Sequence, residues 1–278
     1  MKKLLLISLW FLSFASQGQM ISKPWMKTHL TVVSQGRTNG YTIPSYLNLV
    51  KYNSAHRQLH HASVWADLDV FYIMANDGGQ DYARLNHKDP TVYLMTLVNS
   101  PTFTSNVGFA SNGTTSYEDL NWAPSNGVNF TQNDASWFVH IVDNVQGAFA
   151  FGTDDGASNT RRTYIQPRNA LDRRLFSLNA TAATPATVVT DGHGFHYMER
   201  TSSTLWALYT ENVLASNSST TSAARSTKTV YVNAFHAFDG SVSSWYTGNV
   251  AMIGFGKSMN STKRTALFNA LKGYFASL

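Results

Sequence analysis

Residues 250–275 read Val250-Ala-Met-Ile-Gly-Phe-Gly-Lys-Ser-Met-Asn-Ser-Thr-Lys-Arg-Thr-Ala-Leu-Phe-Asn-Ala-Leu-Lys-Gly-Tyr-Phe. The stretch begins with apolar residues and glycine, which predicts a buried strand over residues 250–255. Asn260 or Ser261 can then cap a helix with a side-chain oxygen. In that helix one apolar stripe recurs at intervals of three and four positions, at Leu267, Ala270, Leu271, Tyr274 and Phe275. A helix this short is marginal in isolation, so we expect it to pack on a sheet.

Upstream of this stretch, short apolar segments alternate with turn residues. Asn112-Gly113 is the strongest short hairpin signal in the chain, and the Ser/Thr-rich residues 217–228 are predicted to form a surface loop. Many short strands with such punctuation predict a β-sandwich or a barrel. The further strand candidates are residues 136–142, 147–152, 163–166, 175–178, 194–200, 205–209 and 229–237.

The N-terminus has the three-part pattern of a secretory signal peptide. The basic pair Lys2-Lys3 precedes an apolar run over residues 4–14, and small residues allow cleavage before Gln19. We therefore expect residues 1–18 to be a signal peptide. The run is shorter than the roughly 20 residues of a membrane-spanning helix, and a buried N-terminal helix is the remaining alternative. The expected location is secreted, periplasmic or on the cell surface.

Three segments follow before the strand-rich part of the chain. Residues 19–40 are polar and lack a clear period, which predicts an extended lead-in. Thr42 is a candidate cap for a helix over residues 44–61. From residue 68 to residue 74 the chain is apolar at nearly every position, which predicts a strand covered on both of its faces, with a buried helix as the alternative.

The composition favours sheet structure and argues against a nucleic-acid partner. The chain has 13 Tyr, 16 Phe and 7 Trp but only 13% charged residues, and aromatic residues are enriched in strands. The formal charge is +5, and part of it leaves with Lys2 and Lys3. The remaining basic residues occur as separate pairs instead of the cluster that nucleic-acid binding requires. Because there is no cysteine, disulfides cannot contribute to stability.

Two segments resemble laminin-G-like, concanavalin A-like jelly-roll domains. Residues 250–271 resemble the last strand and short helix of that family, and residues 200–214 resemble one of its hairpins. In that hairpin Glu211-Asn212 occupies the turn, where the family has a glycine. The segment from residue 65 to residue 109 is similar to an N-terminal extension found on such domains in bacterial surface proteins and in phage or prophage structural proteins.

The resemblance implies a mainly β fold, a concanavalin-like β-sandwich over residues 98–278 that ends in a short amphipathic helix. Residues 19–97 would form an N-terminal extension with a helix, packed on the sandwich. Strand order and oligomeric state do not follow from the resemblance.

Concanavalin-like folds also include glycoside hydrolases, which place two carboxyl groups about 5–5.5 Å apart when they retain configuration. The three glutamates are Glu118, Glu199 and Glu211, and none has another carboxylate two or four positions away. Glu118 and Asp119 are adjacent, so on a strand they would point to opposite faces. No catalytic residue is therefore predicted.

The metal candidates are few. Asp191, His193 and His196 combine residue types that bind zinc. On a turn that enters a strand the two histidines would diverge, so we predict no metal there. Asp154-Asp155 is the best candidate for a calcium ion of the laminin-G kind, and an ordinary turn is the alternative. No other cofactor is expected.

Aromatic residues beside polar loops are the candidate ligand contacts. Tyr117 and Trp122 flank a polar stretch, and Trp245-Tyr246 lie in a Gly/Ser-rich segment. A ring can stack on the face of a sugar while neighbouring polar groups bind its hydroxyls. The alternative is that these four residues pack the rim of the sandwich.

Three functions remain open. The first is an exported, non-catalytic binding or adhesion module for a glycan or a protein partner. The second is a structural component of a phage virion or appendage, against which a secretory signal counts. The third is a carbohydrate-active enzyme, against which the missing pair of carboxylates counts.

Overall fold

A computed structural model describes residues 23–156, 160–181 and 184–278, and the predicted signal peptide lies outside these residues. The helices are α1 (Pro24–Thr38), α2 (Tyr46–His61), α3 (Gln80–Ala83) and α4 (Ser261–Phe275). The strands are β1 (Leu68–Ile73), β2 (Thr96–Val98), β3 (Thr102–Thr104), β4 (Gly108–Ala110), β5 (Tyr117–Asp119), β6 (Ala135–Ile141), β7 (Phe151–Thr153), β8 (Arg162–Gln166), β9 (Arg173–Ala180), β10 (Thr184–Val188), β11 (Gly194–Arg200), β12 (Leu205–Thr210), β13 (Val213–Ser219), β14 (Tyr231–Val232), β15 (Phe235–His236), β16 (Val242–Ser243) and β17 (Val250–Gly256).

The described strands form two sheets, which confirms the predicted β-sandwich. The first sheet has the order β13-β12-β11-β6-β17-β4-β3, and β1 also pairs with β17. The second has the order β10-β9-β8-β7-β14-β5-β2; β15 also pairs with β7, and β16 pairs with β15. A core that includes Trp122, Trp137 and Phe255 lies between the sheets.

A helical layer covers part of the outer face of the first sheet, so β1 and β17 are buried on both sides. From Val70 to Met74, beyond a bulge that follows Leu68, side chains alternate between two cores, as a strand covered on both faces requires. Val70, Tyr72 and Met74 belong to the inter-sheet core. Leu68, Phe71 and Ile73 pack with α2 and α4. The predicted doubly covered strand is confirmed.

Residues 19–97 contribute strands as well as helices. In this segment β1 pairs antiparallel with β17, with Phe71 opposite Gly254. Most of β2 also belongs to it, and β2 pairs with β5 in the second sheet. The segment is therefore joined to both sheets by backbone hydrogen bonds.

Two expectations about this segment were wrong. Within the extended lead-in that we predicted, the structure has the helix α1, whose buried side is His29, Val32, Val33 and Gly36. Its mixture of polar and apolar residues hides the helical period, and packing against α2 stabilises it instead. The cap of α2 is Ser45 and not Thr42, because the Ser45 side chain accepts a hydrogen bond from the backbone N–H of Asn48.

Asn112-Gly113 does not form the predicted hairpin. The preceding strand β4 pairs with β3 and β17, whereas the following strand β5 pairs with β2 and β14. The turn therefore passes from one sheet to the other. The Asn112 side chain stabilises it, because its Oδ1 accepts hydrogen bonds from the backbone N–H groups of Thr114, Thr115 and Ser116 at 2.8–3.1 Å.

The chain ends as the sequence predicts. Asn260 caps α4 by accepting a hydrogen bond from the backbone N–H of Lys263. Most of the predicted stripe is buried, namely Leu267, Ala270, Leu271 and Tyr274.

The hairpin between β12 and β13 also forms, with Thr210 opposite Val213. Glu211 and Asn212 both have positive φ, so they make a two-residue turn without glycine. Residues 217–219, which we expected in a loop, extend β13.

Glu118 is a fully buried carboxyl group on β5. Its Oε2 accepts a hydrogen bond from Asn233 Nδ2 at 3.0 Å. Its Oε1 has no partner within the described residues. Burial raises the pKa of Glu118 well above its ordinary value, because the hydrogen bond from Asn233 does not replace the lost hydration.

We expect Glu118→Gln to stabilise the protein increasingly as the pH rises above 4.5. The raised pKa means that the folded state then binds more protons than the unfolded state, so wild-type stability falls by up to about 1.4 kcal/mol per pH unit. Glutamine does not ionise and escapes this loss. Urea unfolding of both proteins between pH 4.5 and 7.5 measures the difference, and a difference that stays constant over this range would contradict the prediction.

Candidate functional site

A groove lies on the outer face of the first sheet, where the helical layer ends. Phe138, Phe195 and Met252 on β6, β11 and β17 are buried in the core that contains α2 and α4. Further along the sheet, β12 and β13 are not covered in this way: Leu205 and Asn217 are exposed and Tyr209 is half-buried.

The register of three strands shapes the groove. Glu199 on β11 lies opposite Ala207 on β12, and Ala207 lies opposite Asn217 on β13. Leu205 and Tyr209 flank Ala207 on the same face, because alternate residues of a strand point the same way. Since alanine ends at its Cβ, Ala207 forms the floor of a depression walled by the four longer side chains.

The groove has a volume of about 410 Å³. It is lined by Glu199, Thr201, Leu205, Trp206, Ala207, Tyr209, Asn217 and Ser218. The lining thus combines one carboxylate, one amide, two hydroxyls and a tyrosine ring, which is the mixture of apolar surface and a few polar groups found in ligand sites.

The Glu199 carboxylate is held from several sides. Its Oε2 accepts hydrogen bonds from the Tyr197 hydroxyl at 3.0 Å and from the backbone N–H of Met259 at 3.3 Å. Its Oε1 pairs with Arg264 Nη1 at 3.3 Å. Burial raises the pKa of Glu199, while the hydrogen bond from Tyr197 and the charge of Arg264 oppose the rise. These contacts hold the Glu199 carboxylate in one position in the wall of the groove.

Arg264 on α4 also fixes the ring of Tyr209. Its Cζ lies 3.6 Å from the centroid of the Tyr209 ring, and its Nε donates to Asn212 Oδ1 at 3.3 Å. A guanidinium group stacked on a tyrosine face is a favourable cation–π arrangement. Because Arg264 contacts both Glu199 and Tyr209, the helix α4 positions two groups of the groove lining.

The sequence-predicted ligand residues are not brought together. Trp122 and Tyr246 are fully buried in the inter-sheet core, so neither ring has a surface on which a ligand could stack. Tyr117 is half-buried, with its ring 4.3 Å from that of Tyr231 on the second sheet. Trp245 is half-buried and bridges to Phe149. Of the four residues, Trp122 and Tyr246 therefore pack in the core of the sandwich.

Sequence reasoning missed Glu199, Tyr209 and Asn217 as a group. It located strands near residues 194–200 and 205–209 but placed Asn217 in a loop. The signal that could have found the group was the turn at Glu211-Asn212, because folding the chain there aligns Asn217 with the strand before it.

The other carboxylates considered as sites have protein partners. Glu211 Oε2 pairs with Lys272 at 3.2 Å, and Asp154 Oδ2 pairs with Arg162 Nε at 3.2 Å. Asp155 accepts hydrogen bonds from the backbone and side chain of Thr227. The Asp154-Asp155 pair is thus occupied by cations and turn hydrogen bonds.

The two candidate metal-binding histidines diverge. His193 Nδ1 lies 2.5 Å from Asp191 Oδ2, while His196 is buried with its Nε2 3.0 Å from the Gly192 carbonyl oxygen. In the part of the chain that the structure describes, no cluster of three or more His, Cys, Asp or Glu residues could hold a metal ion. Over the same residues, no helix has the length and apolar character needed to cross a bilayer.

No family model matches the chain, and no curated protein matches its sequence. Among solved structures, it is similar to the receptor-binding domain of the botulinum neurotoxin C/D mosaic serotype, with a TM-score of 0.50, 7% identity, 74% of this chain covered and 51% of that one. For a Trypanosoma rangeli sialidase the TM-score is 0.48 and the identity 11%, with 81% of this chain and 39% of that one covered. For domain 4 of a GH43 extracellular arabinanase from Geobacillus stearothermophilus the TM-score is 0.44 and the identity 11%, with 72% of this chain and 98% of that one covered.

This chain therefore spans about two fifths of the sialidase chain and about half of the toxin domain. At such low identity, the likeness to the receptor-binding domain shows a shared β-sandwich fold and nothing about the ligand.

Proposed function

We propose that the chain is a non-catalytic glycan-binding module and that the sugar binds in the groove over Ala207. The observation that carries the proposal is the arrangement around that floor. The Tyr209 ring lies beside Ala207 on the same strand. The Asn217 amide and the Glu199 carboxylate flank Ala207 on the two neighbouring strands.

These groups match the chemistry of a sugar. A pyranose has an apolar C–H face that can stack on a tyrosine ring. Since Arg264 covers one face of Tyr209, the sugar would stack on the other face. Pairs of aromatic rings contribute about 0.5–1.5 kcal/mol beyond area burial, and we expect a contribution of this order. The Asn217 amide provides both donors and acceptors for hydroxyl groups. Because Arg264 neutralises the carboxylate of Glu199, the groove favours a neutral sugar over a charged one.

The proposal is non-catalytic because the groove lining contains one carboxylate. Hydrolysis by the common mechanisms needs two carboxyl groups on opposite sides of the glycosidic bond. Glu199 is the carboxylate of the lining, and both of its oxygens already accept hydrogen bonds or pair with Arg264. The other two glutamates, Glu118 and Glu211, do not line the groove.

The same proposal includes export and a laminin-G-like jelly roll. The signal-peptide pattern over residues 1–18 supports export, and the resemblance of residues 250–271 supports the family. In this proposal residues 19–97 are the extension and residues 98–278 the sandwich. Sequencing the N-terminus of the secreted protein tests the first part: Gln19 is expected, and an intact Met1 in purified particles would favour the virion component instead.

We expect Tyr209→Ala to weaken glycan binding at least about tenfold, because it removes the stacking surface. Tyr209→Phe should bind nearly as well as the wild type, because the ring remains. The measurement is a glycan-array screen of residues 19–278, followed by calorimetry on the best sugar.

Tyr46→Ala is the matched control, since Tyr46 is 79% exposed on α2, away from the groove lining. Absence of binding to any glycan would reject the proposed function. Binding that survives Tyr209→Ala but is lost in Trp245→Ala would place the ligand beside the half-buried Trp245 and not in the groove.

A further inference from the structure

A second concave site lies in the helical layer, between α1 and the loop before β2. It has a volume of about 300 Å³. It is lined by Lys27, Thr28, Thr31, His87, Lys88, Asp89 and Pro90. We call it the Lys27–Lys88 cleft. None of its lining residues belongs to the groove over Ala207.

Both lysines of the cleft have N–H donors without a hydrogen-bond partner among the described residues. Lys27 is exposed, and its ammonium group has no hydrogen bond or ion pair within the described residues. The Lys88 ammonium group donates to the carbonyl oxygen of Trp65. An ammonium group has three N–H donors, so two remain on Lys88. The cleft therefore has two lysines with N–H donors that no described group accepts, Lys27 on α1 and Lys88 in the loop before β2.

His87 adds a buried polar atom without a partner. The residue is 1% exposed, and its Nδ1 lies 3.2 Å from His56 Nε2. Its Nε2 has no hydrogen-bond partner among the described residues. When His56 Nε2 donates to His87 Nδ1, the proton of neutral His87 lies on Nε2, which then is a donor. A buried donor left unsatisfied costs about 1–3 kcal/mol, so a ligand that accepts from it would be stabilised.

Most of the remaining polar groups of the cleft are already engaged. The hydroxyls of Thr28 and Thr31 donate to the carbonyl oxygens of Pro24 and Lys27 within α1. The Asp89 carboxylate accepts from the backbone N–H and the hydroxyl of Thr91, at 3.0 and 2.6 Å. Both of these bonds go to Oδ1 of Asp89, so its Oδ2 has no partner among the described residues. The cleft thus places the two lysine ammonium groups and the His87 ring beside one exposed carboxylate.

We propose that the Lys27–Lys88 cleft binds a tetrahedral oxyanion, a phosphate or sulfate group that is either free or carried as a monoester. Such a group offers several acceptor oxygens to the two lysines and to His87, and charge-assisted hydrogen bonds of this kind are the strong ones.

The test is a titration of the protein with inorganic phosphate at constant ionic strength, followed by calorimetry and by the ¹⁵N signals of the histidine rings. Saturable binding with a shift of His87 Nε2, and none of the buried His196, is expected. Lys27→Met and Lys88→Met should each weaken binding about tenfold or more, since each removes a charge-assisted hydrogen bond. Lys51→Met on α2 is the matched control, because Lys51 does not line the cleft.

Glucose 6-phosphate and glucose 6-sulfate distinguish a sugar ester from the free ion: tighter binding of either one assigns the cleft to esters. Lys27 is exposed, so its substitution should not disturb folding and keeps the test valid if Lys88→Met unfolds. Absence of saturable binding for all three probes, or binding that is unchanged in Lys27→Met, would overturn the proposal.

Discussion

Acidification from pH 7.5 to 4.5 is expected to lower the free energy of unfolding by several kcal/mol. Burial lowers the pKa of His29 to about 4 and that of His87 to about 3, and it also lowers the pKa of His56. Unfolded histidines titrate near 6.5. Between these values the unfolded state binds more protons, so stability that is present above about pH 6.5 is lost as the pH falls.

The balance of titrating groups favours this loss. Among the described residues, the histidines whose pKa is lowered are His29, His56, His60, His87, His140, His196 and His236. The carboxyl groups whose pKa is raised act in the opposite direction, and they are Glu118, Asp119 and Glu199. Each buried histidine contributes up to about 1.4 kcal/mol per pH unit, and a typical domain has 5–15 kcal/mol in total.

A single substitution isolates the histidine contribution. His29→Gln should remove about 2–3 kcal/mol of the acid-induced loss, because glutamine binds no proton in either state. Ser34→Ala, at an exposed position on the same helix, should shift stability equally at every pH. Urea unfolding followed by circular dichroism at several pH values gives the slopes. Equal slopes for the wild type and His29→Gln would show that burial of this histidine does not control acid stability.

The second large effect is expected from Gly254→Ala, which should destabilise the protein by about 2–3 kcal/mol. Gly254 on β17 lies opposite Phe138 on β6 and Phe71 on β1. A Cβ atom at this position would overlap the ring of Phe138, which lies over the glycine beneath the helical layer. Because protein cores are close-packed, the ring cannot move without disturbing its neighbours.

Gly273→Ala is the matched control for this prediction. Gly273 lies inside α4, and nothing lies within 4 Å of the position its Cβ would take. There alanine should stabilise the helix by about 0.5–1 kcal/mol, since glycine loses more backbone entropy on folding. Chemical unfolding measures both variants. A double variant with Phe138→Leu should recover part of the loss, and a Gly254→Ala protein as stable as the wild type would contradict the packing argument.

The candidate groove could not be predicted from the sequence, although two of its three strands could. Residues 194–200 and 205–209 read as strands from their own composition, and the turn at Glu211-Asn212 lies where the family resemblance implies it. The contact of Arg264 with Glu199 and Tyr209 joins α4 to two strands far from it in the chain. No local pattern encodes that contact, because it depends on how far the helix extends over the sheet.

The amino-acid sequence by itself determined the β-rich architecture, the doubly covered strand near residues 68–74 and the closing strand and helix of residues 250–275. Each depends on periodicity, capping and turn chemistry, which act over a few residues. Only the tertiary structure decided that Trp122 and Tyr246 belong to the core, that Asn112-Gly113 passes between sheets, and that Ala207 is the floor of a groove. These features depend on which distant strands become neighbours and on where the helical layer ends, and both are properties of long-range packing.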